Sequence, residues 1–159
     1  MEYFKIEERR IELAQREEEK EKFAEIYAMT EDRLNEIGKI ILDAAITVHR
    51  ELGPGLLESA YQLALKRELE LRGLKVRAKV PVELIYKETP LGKAYEIDLL
   101  VEEEVIIENK SCDGMNPIFI FQVITYLKLY HQKKLGYLIN FNVRFLKDEF
   151  KRIVNNFSA

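Results

Sequence analysis

The stretch that decides the fold is residues 95–111, YEIDLLVEEEVIIENKS. Two short apolar runs, IDLLV and VII, are separated by three glutamates, and this arrangement predicts two strands joined as a hairpin. The runs also carry Asp98, Glu108 and Lys110, although burying a charge inside a sheet is costly. Either these residues lie on a solvated edge of the sheet, or their charges perform chemistry.

The alternation of side chains along a strand predicts which of these charges meet. Glu108 and Lys110 point the same way, with Cα atoms about 6.6 Å apart, and Glu96 and Asp98 share a face by the same rule. If the two strands pair, one face gathers Asp98, Glu108 and Lys110. Two carboxylates can hold a hard divalent ion, and an ammonium can stabilise a phosphate. The same spacing also occurs on solvated sheet faces, but the apolar flanks favour a buried metal site.

Upstream of this hairpin, the hydrophobic period changes from helical to extended. Apolar residues recur at helical spacing from Leu34 to Leu52, and a second helix is predicted over residues 56–72. Residues 76–82 alternate as a strand, and Pro81 predicts an edge or a bulge there. A turn is predicted at residues 88–92, ahead of the hairpin.

Downstream, the pattern predicts a helix over residues 121–130 and a buried strand over 135–141. The last segment, residues 147–157, fits either a strand or a short helix. The predicted order is helix, helix, three strands, helix and strand. It indicates an α/β protein with a mixed central sheet flanked by helices.

Residues 1–28 differ in composition from the rest of the chain. They are dominated by charge, and QREEEKEK (residues 15–22) contains no apolar residue. We predict a charged N-terminal helical extension over 1–28 and one compact domain over 29–159. A homo-oligomer or a protein partner assembled through the N-terminal helix stays open.

Length and charge narrow the classes of function. The chain has 159 residues, of which 47% are hydrophobic, enough for one core. It has no apolar run of about 20 residues and no signal-peptide pattern, so we expect a cytoplasmic protein without a membrane span. The net charge is −3, but residues 110–159 carry +5. A locally basic surface for nucleic acid is therefore allowed; its candidate cations are Lys128, Lys133, Lys134, Lys147, Lys151 and Arg152.

A second motif adds a family resemblance. HRELGPGLLESAY contains G-x-x-E-x-x-Y as Gly55, Glu58 and Tyr61, and it resembles the signature of the GxxExxY protein family of the PD-(D/E)XK nuclease superfamily. The resemblance continues through IDLLV, the E-x-K at residues 108–110, QVITYL at residues 122–127 and LGYLINFN. It covers about residues 30–154.

The resemblance implies a restriction-endonuclease-like α-β-β-β-α-β core and a metal-dependent nuclease. Asp98 and Glu108 would be ligands of Mg²⁺ or Mn²⁺, and Lys110 the catalytic lysine. Glu58 would be an added acid near the metal and Gln122 a further catalytic-site residue. The expected partner is nucleic acid, with DNA favoured over RNA. The alternative is a non-catalytic nuclease-fold module that acts through a protein partner.

Two residues depart from the family pattern. Glu96 stands where an arginine is usual, so it is expected to add negative charge beside the metal. Asn109 stands inside E-x-K where an apolar residue is usual, and alternation points it at a face that should pack on a helix. An unpaired amide there costs about 1–3 kcal/mol.

Overall fold

The computed structural model describes residues 2–27 and 30–155. The helices are α1 (Glu2–Tyr27), α2 (Glu31–Leu52), α3 (Glu58–Leu71) and α4 (Ile118–Leu129), with a 3₁₀ turn at Leu146–Glu149. The strands are β1 (Val76–Tyr86), β2 (Thr89–Val101), β3 (Val105–Lys110), β4 (Leu135–Asn140) and β5 (Phe150–Val154). The final segment is therefore both a helical turn and a strand. The predicted α/β class is confirmed.

The chain divides into two compact units, Met1–Glu31 and Asp32–Ala159. The first contains α1, whose side chains are exposed from residue 2 to residue 22. Such a helix has no apolar stripe to bury, in keeping with its composition. Within residues 2–27 and 30–155, no helix is long and apolar enough to cross a lipid bilayer. The boundary predicted at residue 29 stays a prediction, because Met29 lies outside the described residues.

The second unit is built on one mixed five-stranded sheet in the order β1-β2-β3-β4-β5. β3 and β4 are parallel, with α4 connecting them, and the other neighbouring strands of the described residues are antiparallel. β1 is an edge strand, as Pro81 predicts, because proline cannot donate to a ladder.

Helices cover both faces of the sheet. On one face, α4 packs on a cluster that includes Ile106 and Leu138. Gly136 allows this approach, because a Cβ there would lie 2.8 Å from a Val123 methyl group. On the other face, Tyr137 reaches α2 at Gly38, where a Cβ would lie 2.0 Å from the tyrosine hydroxyl. Each glycine is thus required by close packing of a helix on β4.

The predicted turn at residues 88–92 is wrong. The turn consists of Lys87 and Glu88, whose φ angles are +46° and +64°, and β2 already begins at Thr89. Two residues with positive φ match the right-handed twist of a hairpin. Pro90 is accommodated because β3 pairs with β2 only from Leu99 onward, so the early part of β2 pairs with β1 alone.

Candidate active site

The site lies where the β2–β3 ladder ends. The last backbone pair is Leu99 with Ile107. Beyond it, a side chain replaces the strand partner: Oδ2 of Asp98 accepts a hydrogen bond from the backbone N–H of Asn109 at 2.8 Å. The Asp98 carboxylate is therefore held between the two strands rather than above one face.

An irregular residue on the edge strand lies at the level of this break. Lys79, at the level of Asp98 in the β1–β2 register, has a φ of +55°. Arg77 donates a hydrogen bond to Tyr130, just beyond the end of α4, and Val80 belongs to the core around α4. Residues 77 and 80 could not share a face in regular alternation, so β1 changes face at this level.

β2 changes face at the same level, which moves Glu96. Tyr95 and Ile97 lie on the side of α4. An unbroken alternation would place Glu96 and Asp98 there instead. Glu96 forms an ion pair with Lys93 at 2.9 Å. This ion pair offsets the charge of Glu96, and the effect of Glu96 on a metal at Asp98 stays a prediction.

Glu108 is the most constrained acid of the site. Its side chain is 5% exposed, and Oε1 lies 3.4 Å from Nζ of Lys110. Oε2 is buried and has no hydrogen-bond partner within the described residues. Burial, followed by the charge of Asp98, raises the Glu108 pKa from 4.5 to about 8.

Burial also raises the pKa of Asp98, from 3.8 to about 6. The hydrogen bond from Asn109 opposes this shift, and the negative charge of Glu58 adds to it. Burial and the neighbouring acids thus make ionisation of both carboxyls less favourable, and Lys110 is the cation beside them. A pair in this state gains most from a second, stronger cation.

Glu58 and Gln62 bring α3 to this site. Glu58 is exposed in the first turn of α3, yet its charge raises the pKa of both Asp98 and Glu108. Gln62 is buried and donates from Nε2 to the backbone carbonyl of Asp98 at 3.1 Å. Gln62 was missed at the sequence level, although it lies one helical turn after Glu58 and so on the same helix face.

Gln122 lies across the site on α4. Its Nε2 donates to the hydroxyl of Tyr126 at 2.8 Å, and Lys110 lines the same cavity. The ammonium of Lys110 lies 4.3 Å from the centre of the Phe119 ring. Lys110 is therefore held between the carboxylates on one side and an aromatic wall of α4 on the other.

Tyr61 explains the last position of G-x-x-E-x-x-Y. It is fully buried and stacks on Phe141 with ring centroids 4.6 Å apart. Its hydroxyl donates to the carbonyl of Gly53 at 2.5 Å and accepts from the N–H of Leu56 at 3.1 Å. Gly55 has a φ of +98°. Tyr61 therefore holds the loop that precedes α3 in place. Because Glu58 follows this loop directly, its position is fixed as well.

Two fully buried asparagines flank the site and differ in their bonding. Asn140 accepts from the N–H groups of Cys112 and Asn142 and donates to the Cys112 carbonyl. Asn109 has no partner for either amide atom within the described residues. Asn140 therefore orders the loop that follows Lys110, whereas Asn109 carries the cost of an unpaired buried amide.

Two of the six predicted phosphate-binding cations have partners elsewhere on the domain. Lys133 pairs with Glu104 at 3.3 Å, at the opposite end of β3, and six residues of strand place that end about 17 Å away. Arg152 donates to Asn35 on α2. The phosphate-binding surface of these six cations stays a prediction.

The donor set fits a divalent ion bound by few protein ligands. Among the described residues, no group of three His, Cys, Asp or Glu side chains is placed to hold a metal. Asp98 and Glu108 supply two carboxylates. Within the described residues, Oε2 of Glu108 has no hydrogen-bond partner, so this oxygen is available to bind a cation. Mg²⁺ is commonly held by one or two carboxylates, with water and substrate phosphate completing its octahedron.

Comparison with known proteins gives one match. A family model of the PD-(D/E)XK nuclease superfamily matches residues 35–153, which include all the site residues described above. No curated protein and no solved structure matches the chain significantly.

Proposed function

Because this chain belongs to the PD-(D/E)XK nuclease superfamily, we propose that it is a metal-dependent nuclease that hydrolyses phosphodiester bonds in nucleic acid. Its metal ligands would be Asp98 and Glu108, and its catalytic lysine Lys110. DNA is the favoured substrate. Within the superfamily, the narrower resemblance to the GxxExxY family stays a prediction.

The observation that carries this proposal is the state of Glu108. A buried carboxyl group normally has its oxygens hydrogen-bonded, yet no N–H group of the described residues donates to Oε2 of Glu108, and the polar neighbour of this acid is a second acid, Asp98. A second carboxyl, Asp98, raises its pKa further. For stability alone, apolar residues of similar size in place of these two acids would often serve as well or better. A site for a divalent cation accounts for both acids.

The chemistry divides among these residues. Bound Mg²⁺ or Mn²⁺ would polarise the phosphoryl group and favour a hydroxide-like nucleophile at neutral pH. Hydrolysis adds a water oxygen to phosphorus and breaks the P–O bond to the leaving sugar, which takes up a proton. Lys110 would stabilise the negative charge that gathers on the phosphoryl oxygens. Glu58 would add an acid at the solvent side, and Gln122 would orient substrate from α4.

The test uses two lysines in similar settings. Lys110 has a 14% exposed side chain and an acid at 3.4 Å, and Lys133 has a 16% exposed side chain and an acid at 3.3 Å. Lys110→Met should lower cleavage of labelled DNA and RNA in Mg²⁺ or Mn²⁺ by about a hundredfold or more, the scale of one lost charge stabiliser. Lys133→Met should cleave like wild type.

Calorimetric titration with Mn²⁺ separates binding from chemistry. Wild type and Lys110→Met should bind the ion with similar affinity, whereas Asp98→Ala should lose binding and cleavage together. Wild type that binds no Mn²⁺ and cleaves neither substrate would disprove the proposal in favour of a non-catalytic binding module.

A further inference from the structure

A cavity of about 440 Å³ opens beside Lys110. Its walls come from β2, the end of β3 and one face of α4. Four aromatic rings line it: Tyr95, Phe119, Phe121 and Tyr126. Its volume lies within the range of about 300–1,000 Å³ typical of small-molecule sites. The hydrolytic chemistry proposed above uses none of these rings.

Part of this aromatic wall contributes little to the core. Tyr126 is buried, but Tyr95 is 40% exposed and Phe121 is 62% exposed. The rings of Tyr95 and Tyr126 are 5.7 Å apart and inclined by 57°. They form adjoining walls rather than a closed stack. Phe121 stands at the cavity mouth with most of its surface in water, where it gains little from the fold.

The polar groups of the cavity suit a neutral, hydrogen-bonding ring attached to an anion. Gln122 and Thr125 line it, and an amide offers both donors and an acceptor. Among the described residues that line it, the charged one is Lys110, whose ammonium also lies beside Glu108. An occupant of the cavity is therefore adjacent to the place where a phosphate would be held.

We propose that this cavity receives an unstacked nucleobase next to the cleaved phosphate, and that the substrate is single-stranded or locally unpaired nucleic acid. This inference rests on the proposed function for the position of the phosphate. A base inside a duplex has neighbours on both faces, so it reaches aromatic rings only after leaving the stack. Stacking on an aromatic side chain tolerates any base, so the cavity selects unpaired strands rather than a sequence.

The first test measures binding without cleavage. Fluorescence anisotropy gives the affinity for labelled 12-nucleotide single strands of DNA and of RNA and for the corresponding duplexes. Each affinity is measured in EDTA and again with Ca²⁺. Wild type should bind at least one single strand about tenfold or more tightly than its duplex. Phe121→Ala should lose about ten- to a hundredfold of single-strand affinity, the scale of one lost stacking contact, and leave duplex binding unchanged.

Phe145 provides the matched control. It is 61% exposed, as Phe121 is 62% exposed, but it follows β4 and does not line the cavity. Phe145→Ala should bind both substrates like wild type. Equal losses in the two variants, equal wild-type affinity for single strand and duplex, or no binding of single strands would each overturn the proposal.

A second test uses strands with one base removed. Wild type should lose affinity when an abasic residue occupies the position that enters the cavity, and Phe121→Ala should not respond to that change. Insensitivity of wild type at every position would overturn the proposal. Because neither readout requires hydrolysis, loss of single-strand selectivity and loss of nuclease activity are scored separately.

Discussion

Glu108→Gln should make the metal-free protein more stable in alkaline solution. The carboxyl is buried, and its pKa is raised from 4.5 to about 8 in the folded protein. Below pH 4.5 both folded and unfolded chains hold the proton, and no penalty exists. As the pH rises from 4.5 to 8, only the unfolded chain releases the proton readily, so the free energy of unfolding falls.

The size of this effect follows from the shift. At about 1.36 kcal/mol per pKa unit, ionisation of Glu108 lowers the free energy of unfolding of wild type by about 5 kcal/mol above pH 8. Glutamine removes the charge but leaves a buried amide, which costs about 1–3 kcal/mol without a partner. The net gain should be about 2–4 kcal/mol, or about 4–16 °C in Tm for a chain of this length. At pH 4.5, where the charge penalty is absent, the variant should be less stable than wild type by about 1–3 kcal/mol.

The assay is thermal unfolding in EDTA at pH 4.5, 7 and 8.5, repeated with Mn²⁺. Added Mn²⁺ at a hundred times its Kd should stabilise wild type by about 2.7 kcal/mol and leave Glu108→Gln unchanged. Glu104→Gln is the control, because Glu104 pairs with Lys133 near the surface. The reasoning fails if Glu108→Gln is no more stable than wild type at pH 8.5, or if its gain is the same at every pH.

Two further predictions concern side chains near the site, and a third concerns α1. Asn109→Leu should raise the free energy of unfolding by about 1–3 kcal/mol, because the Asn109 amide has no hydrogen-bond partner within the described residues. Asn140→Leu should lower the free energy of unfolding, because the Asn140 side chain loses its hydrogen bonds to Cys112. Denaturant titration that ranks the two variants alike would contradict this reasoning. Gln62→Leu should weaken Mn²⁺ binding by about ten- to a hundredfold by releasing the Asp98 backbone, and calorimetry showing wild-type affinity would exclude that role. Deleting residues 1–28 should leave the thermal midpoint of the remaining chain nearly unchanged, and a large drop would show that α1 stabilises it.

Much of the architecture follows from local pattern. The helical spacing from Leu34 to Leu52 predicts α2, and the two apolar runs on either side of Glu102–Glu104 predict the central hairpin. These features are readable because a period of 3.6 or 2 is a property of neighbouring residues. The same alternation brings Glu108 and Lys110 to one side of β3, where their side chains lie 3.4 Å apart.

The tertiary structure alone decided how Asp98 is held. Its carboxylate bonds to Asn109 within the strand gap, and its carbonyl takes a bond from Gln62, 36 residues away. On the same strand, Glu96 forms its ion pair with Lys93. No periodicity encodes such a break, because it depends on how α3 and two strands settle against one another. Burial of Glu108, and with it the raised pKa, has the same origin: desolvation comes from side chains that reach it only when the sheet and α4 have closed around it.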